Sequence, residues 1–224
     1  MFIADDMAMY LAVAAYMGYK QYKENKKRRE RIKNSPKERG NHLATPKNDS
    51  FSLFVFGYTG AGKSTFLEKL GANVNTAGYG TAEEKYPSFT TKVCEKTISI
   101  KEGIDIGGDK RYLTNGTIEK MLNEKDKVIF VFAATSFLNK QNKQYRGEIM
   151  SRLQTLYDVS AHRSKITIIA SRLDECKGDR QMVINEIKKD FADKYYRDIL
   201  NDSFGVFNLT DKRDIELIKQ MIFK

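Results

Sequence analysis

The sequence predicts an α/β domain with a mostly parallel central sheet and helices on both faces, preceded by an N-terminal helix. Three observations carry this. Val128-Ile129-Phe130-Val131-Phe132-Ala133 is an unbroken apolar run of strand length, the pattern of a strand covered on both faces. Phe51-Ser52-Leu53-Phe54-Val55-Phe56 is a second β-forming run, and it leads straight into a glycine-rich turn and a helical pattern. Strand and helix patterns then alternate along the chain, the order of βα units. Residues 51–224 are enough chain to bury a core of their own.

Each element has its own signal. Residues 1–34 read as one helix, apolar and then basic. Residues 7–19 hold no charge, whereas residues 20–39 hold ten Lys or Arg against three Glu. Residues 35–50, with Pro36, Gly40 and Pro46, read as a linker. The strand at 51–56 opens the domain, and a helix over 64–70 is ended by Gly71. Residues 73–85, with Gly78 and Gly80, read as a mobile loop. A strand pair fits between Thr91 and Asp105, its turn at Glu95-Lys96 or at Glu102-Gly103. Helical patterns follow at 117–123, 144–157, 180–196 and 211–223, with strands at 128–133, 164–170 and 204–208.

The chemistry centres on Gly57-Tyr58-Thr59-Gly60-Ala61-Gly62-Lys63-Ser64, a complete G-x-x-x-x-G-K-[ST] phosphate-binding loop. Its glycines let successive backbone N–H groups turn inward onto phosphate oxygens. Lys63 reaches the outer phosphates, the Ser64 hydroxyl ligates Mg²⁺, and Thr65 begins a helix whose positive end faces the same anion. Strand, loop and helix in that order predict a P-loop NTPase. Three further boxes follow. Asp105-Ile106-Gly107-Gly108 ends a strand and fits D-x-x-G. Ser171-Arg172-Leu173-Asp174 follows an apolar strand, and Thr210-Asp211-Lys212 follows a short one. Thr210 or Asp211 also fits a plain helix N-cap.

Together these boxes resemble the Ras-like GTPases of the translation-factor-related class, over roughly residues 51–224. Asp105-Ile106-Gly107-Gly108 is similar to the Arf and signal-recognition-receptor-β pattern. The phosphate loop and Thr91-Lys92-Val93-Cys94 are more similar to septin- and immunity-associated GTPases. The resemblance implies GTP and GDP as ligands, Mg²⁺ as cofactor and hydrolysis of GTP as a molecular switch. It implies that Asp105 orients the metal and that the Gly108 N–H senses the γ-phosphate. It implies that the hydroxyl of Thr91, or of its neighbour Thr90, completes the metal shell in the GTP state. Two threonines opening a strand is the plainer account of that pair. Ser171-Arg172-Leu173-Asp174 resembles the guanine box N/T-K-x-D, with Ser171 departing from the usual Asn or Thr. Asp174 would select guanine, because adenine offers no matching pair of donors. Arg172 would stack on the base and Thr210 would support it.

One departure bears on mechanism. Where Ras-like enzymes carry a water-positioning Gln, this chain has Asp109. Slow hydrolysis follows, or a catalytic group supplied by a protein partner or a second copy. The alternatives are an ATP-using P-loop ATPase or kinase, and a hydrolysis-deficient nucleotide-bound scaffold.

The N-terminal segment has a net charge of +7 over residues 20–39, against +10 for the whole chain. Residues 2–33 fit membrane contact, with the basic flank holding the nucleotide-binding domain at a cytoplasmic face. A partner helix and a nucleic-acid arm are the competing uses. Two cysteines, Cys94 and Cys176, exclude a disulfide framework and suit a reducing compartment.

Overall fold

A computed structural model describes residues 50–74, 83–106, 115–159, 165–201 and 203–223. The chain divides into two units, Met1–Ala44 and Thr45–Lys224, and all described residues belong to the second. The N-terminal helix expected over residues 1–34 lies outside them, as does the linker up to residue 49.

The domain opens with β1 (Ser50–Phe51), β2 (Leu53–Gly57) and α1 (Lys63–Leu70). Four strands follow: β3 (Glu83–Tyr86), β4 (Phe89–Val93), β5 (Lys96–Ile100) and β6 (Gly103–Ile106). Next come α2 (Asn115–Glu124), β7 (Lys127–Ala133), α3 (Ala134–Leu138) and α4 (Lys143–Val159). The chain then forms β8 (Ile166–Ser171), α5 (Arg180–Lys189), β9 (Phe204–Val206) and α6 (Lys212–Ile222).

The main sheet has the order β3-β6-β2-β7-β8-β9. Only the β3 edge is antiparallel, pairing with β6. The other pairs, β6-β2, β2-β7, β7-β8 and β8-β9, are parallel. β2 and β8 are buried along their whole length, as apolar runs in a parallel sheet should be. Alternation then sorts their side chains into two cores. Val128, Phe130 and Phe132 face a core that takes in Ile118 of α2, Ile149 and Leu153 of α4, and Val183 and Ile187 of α5. Ile129 and Val131 face a second core with Phe66, Leu67 and Leu70 of α1 and Ile215, Ile218 and Ile222 of α6. Helices therefore cover both faces, as predicted.

The parallel strands run in spatial order second, first, third, fourth, fifth. The chain leaves β2 toward one side and β7 toward the other. The switch point lies between these two strands, and ligands in open α/β sheets bind outside the carboxyl ends there.

Four boundaries differ from expectation. The loop read over 73–85 gives up its last residues to β3, which pairs Glu83 with Ile106 and Tyr86 with Gly103. The strand-pair turn is Cys94-Glu95, between Val93 and Lys96, with Cys94 in the left-handed region at φ 54°. The helix read over 180–196 ends at Lys189, and the chain turns so that Phe191 and Tyr196 enter the first core. The short helix α3 carries no period long enough to be seen in sequence; burial of Phe137 fixes it. A second sheet, β1-β5-β4, extends beyond the main one.

Candidate functional site: a phosphate loop held by two neighbouring loops

The phosphate loop leaves β2 at the switch point. Gly57 is needed for close approach, since a Cβ there would sit 1.8 Å from the Val131 carbonyl oxygen. The Ala61 N–H donates to the Tyr58 carbonyl at 3.2 Å and tightens the turn. Gly62 takes φ 87°, a conformation that favours glycine, and starts α1 with no side-chain cap. The first turn of α1 carries no acidic residue, so its positive end faces the loop unopposed by a carboxylate of its own. Lys63 is only 7 % exposed and folds back over the loop, its Nζ donating to the Tyr58 carbonyl at 3.1 Å. A Schellman pair at Gly71 closes the helix, Gly71 N–H to Glu68 O and Ala72 N–H to Leu67 O.

The loop after β8 grips this turn. Ser171 is 1 % exposed, and its hydroxyl donates to the Ala61 carbonyl at 2.8 Å, with the Phe132 carbonyl at 3.2 Å. Arg172 takes left-handed backbone angles, φ 63° and ψ 42°. Its guanidinium donates to the Gly60 carbonyl at 2.9 Å. Leu173–Glu175 forms a 3₁₀ turn that leaves Asp174 exposed. The Cys176 thiol donates to the Arg172 carbonyl at 3.4 Å. Burial, and then the charges of Glu175 and Asp174, push that thiol's pKa up and keep it protonated.

The loop after β9 closes the third side. Leu173 N–H donates to the Phe207 carbonyl at 3.2 Å, joining the two loops. Leu209 is buried and packs on Gly62, where a Cβ would come within 2.8 Å of its methyl. Asn208 accepts from both the N–H and the hydroxyl of Thr210, at 2.9 and 2.7 Å. Asp211 is the N-cap of α6, accepting from Arg213 N–H at 2.7 Å. The loop is fixed from below by Asp214, 4 % exposed, which pairs with Arg180 and accepts from the Asn208 N–H at 2.7 Å.

On the far flank, the Tyr58 ring meets Tyr145 edge-on at 4.5 Å. The Tyr145 hydroxyl accepts from the Ala133 N–H at 2.7 Å, at the end of β7. Burial pushes its pKa up to about 12, so this prop stays neutral.

The expected residues thus fall into two groups. Ser171 and Arg172 touch residues 57–65, while Asp174 and Thr210 lie on the two loops that pack against them. Asp105 is placed by its backbone beside Val55, two residues before Gly57. Gly108 and Asp109 lie outside the described residues.

Thr91 is a correction. It sits within β4 opposite Ile98, and Ile98 precedes Asp105 by seven residues, in chain that runs toward the phosphate-loop end of β6. At about 3.3 Å per residue that is roughly 20 Å of extended chain. The neighbouring Thr90 carbonyl lies 3.2 Å from where a Gly71 Cβ would be, at the opposite end of α1 from Ser64. Neither threonine can share a metal ion with Ser64. Thr91 is 4 % exposed and its Oγ1 has no hydrogen-bond partner among the described residues, so it is a core-facing strand residue.

Sequence reasoning missed Glu175, Leu209, Asn208 and Asp214. The i,i+3 spacing of Arg172 and Glu175 was the available signal for the first. No protein-family model matches the chain, and no curated protein matches it.

Proposed function

We propose that residues 51–224 form a Mg²⁺-dependent guanine-nucleotide-binding domain that hydrolyses GTP slowly and acts as a switch. One observation carries the reading: the loop after β8 is fastened to the phosphate loop by Ser171 on Ala61 and Arg172 on Gly60. In this reading Asp174, two residues further along the same loop, is the carboxylate that reads the base. The observed strand order supports it, because both loops leave the carboxyl ends of strands at or beside the switch point.

In this reading the N–H groups of residues 60–64 and Lys63 hold the phosphates. Arg172 covers the base, Thr210 supports it and Asp174 accepts from its N–H groups. Mg²⁺ is bound through few protein ligands plus phosphate oxygens and water. The Ser64 hydroxyl, at the start of α1, and Asp105, beside β2, fit that sparse donor set. The metal would neutralise charge building on the phosphates. Thr76 and Thr81 precede β3, which starts opposite Ile106. They replace Thr91 as candidates for the switch threonine, and both lie outside the described residues.

Residues 2–33 are proposed to contact a membrane. Among the described residues no helix is long and apolar enough to cross one. The chain enters β1 at Ser50, at the end of the sheet away from the phosphate loop.

The test is equilibrium binding of fluorescent GDP and ATP analogues to the full chain and to Asp174→Ala, followed by phosphate release from GTP. The reading expects guanine preferred by about tenfold or more, roughly 1.4 kcal/mol, and the preference lost in the variant. ATP bound equally well, indifferent to Asp174, would replace it with an ATP-using domain.

A further inference from the structure

We propose that Glu175 is a positioning residue that locks Arg172 across the phosphate loop, so that arginine at 172 cannot be replaced by lysine. The proposal rests on the guanine-nucleotide reading and deepens it.

The geometry is a three-point bridge. One end of the guanidinium donates to the Gly60 carbonyl at 2.9 Å. The other end meets both Glu175 carboxylate oxygens, at 3.2 and 3.3 Å. The Thr135 hydroxyl, at the start of α3, donates to the same carboxylate at 3.4 Å. The bridge therefore links the phosphate loop, the loop after β8 and the end of β7.

Folding alone does not account for it. Arg172 and Glu175 side chains are 45 % and 48 % exposed, and exposed ion pairs contribute little to stability. Yet Arg172 holds a left-handed backbone that an arginine adopts only when its surroundings impose it. That backbone carries the guanidinium over Gly60. The strain and the exposure together fit a plate waiting for a ligand face rather than a core tie.

The chemistry demands a guanidinium. Its planar fork reaches two acceptors at once, whereas an ammonium is a single point on a flexible stem. Lysine at 172 would reach Gly60 or Glu175, not span both. In the general N/T-K-x-D pattern lysine serves; here Glu175, directly after Asp174, makes the demand stricter. Covering by a base would also desolvate the ion pair and strengthen it.

The experiment measures release of fluorescent GDP from the full chain, in Mg²⁺, for wild type, Arg172→Lys, Glu175→Gln and the double variant. Binding of inorganic pyrophosphate and thermal melting without nucleotide are measured beside it. Each single variant should speed GDP release about five- to tenfold, and the double variant should be no faster than the worse single one. Glu175→Gln should leave pyrophosphate affinity and melting within about twofold and 2 °C of wild type, which a general loosening of the phosphate loop would not. Wild-type release from Arg172→Lys, or additive effects in the double variant, would overturn the bridge. Lys63→Ala separates the two levels. If wild type binds GDP and Lys63→Ala does not, a normal Arg172→Lys sinks the bridge alone. If wild type binds no guanine nucleotide, the reading beneath it fails and the bridge falls with it.

Discussion

At the amino end of the sheet, Ser52 and Asp126 fasten β2 to the start of β7. The Ser52 N–H and hydroxyl both donate to the Asp126 carboxylate at 2.8 Å, and Ser52 Oγ accepts from the Asp126 N–H at 3.1 Å. At the carboxyl end, Ser171 and Arg172 fasten the loop after β8 to the phosphate loop. Both fastenings use a serine hydroxyl and charged side chains. They differ in what they leave open. The amino-end clasp satisfies its own donors and acceptors. The carboxyl-end grip spends only carbonyl oxygens of the phosphate loop, whose N–H groups are the ones an anion needs. If the carboxyl end binds nucleotide as proposed, changes at the two ends should separate stability from affinity.

The largest expected effect is at the open end. Lys63→Ala should weaken GDP binding at least about 100-fold, close to 2.8 kcal/mol, with little change in melting temperature. Calorimetric titration checks it. Ser171→Ala comes next and should blur the contrast. Losing a buried hydroxyl that ties two loops costs about 1–3 kcal/mol of stability, and nucleotide affinity should fall about tenfold because Ala61 is released. Chemical denaturation and titration on the same variant read both.

Asp126→Asn should do the reverse, lowering stability by about 1–2 kcal/mol and leaving nucleotide affinity unchanged. Its pH dependence has a definite sign. Burial alone would raise the Asp126 pKa, but the Ser52 donors, with Lys101 and Lys165, outweigh it and hold it below the ordinary 3.8. A carboxylate depressed in the folded state contributes stability above its unfolded pKa and loses it as pH falls through the folded value. The gap between wild type and Asp126→Asn should therefore be full at neutral pH and shrink only below about pH 4. A gap that widens in acid would contradict this account.

The smallest effect tests the correction at β4. Thr91→Val removes a buried hydroxyl with no partner among the described residues and should raise stability by up to about 1 kcal/mol. Mg²⁺-dependent GDP binding should not change, whereas a metal ligand would make it fall.

The parts legible in sequence were those written locally. β2, β7 and β8 are apolar runs that need no knowledge of partners, and Gly71 stops α1 by its own backbone freedom. The phosphate loop is one contiguous motif. What stayed hidden depends on pairing distant in sequence. Thr91 looked like a site residue because chain order put it between the phosphate loop and Asp105. Only the β3-β6 and β4-β5 registers show that the chain has by then travelled away from the site. The end of α5 was obscured because Phe191 and Tyr196 keep a helical apolar spacing, while no Gly or Pro interrupts them. Their burial in the first core decides the turn. Asp214 carries no local signal, since an acidic residue in a first helical turn is ordinary. Its role under the 207–211 loop needs Arg180, thirty-four residues away.

The central claim is that Asp174, exposed on a loop fastened to the phosphate loop, reads a guanine base. The most direct measurement is competition between GDP and its xanthine counterpart, for wild type and for Asp174→Asn. Xanthine replaces the exocyclic amine of guanine with a carbonyl, so the partner must become a donor. The account predicts that wild type prefers GDP by about tenfold or more and that Asp174→Asn prefers the xanthine nucleotide. Identical ranking by both proteins would contradict it.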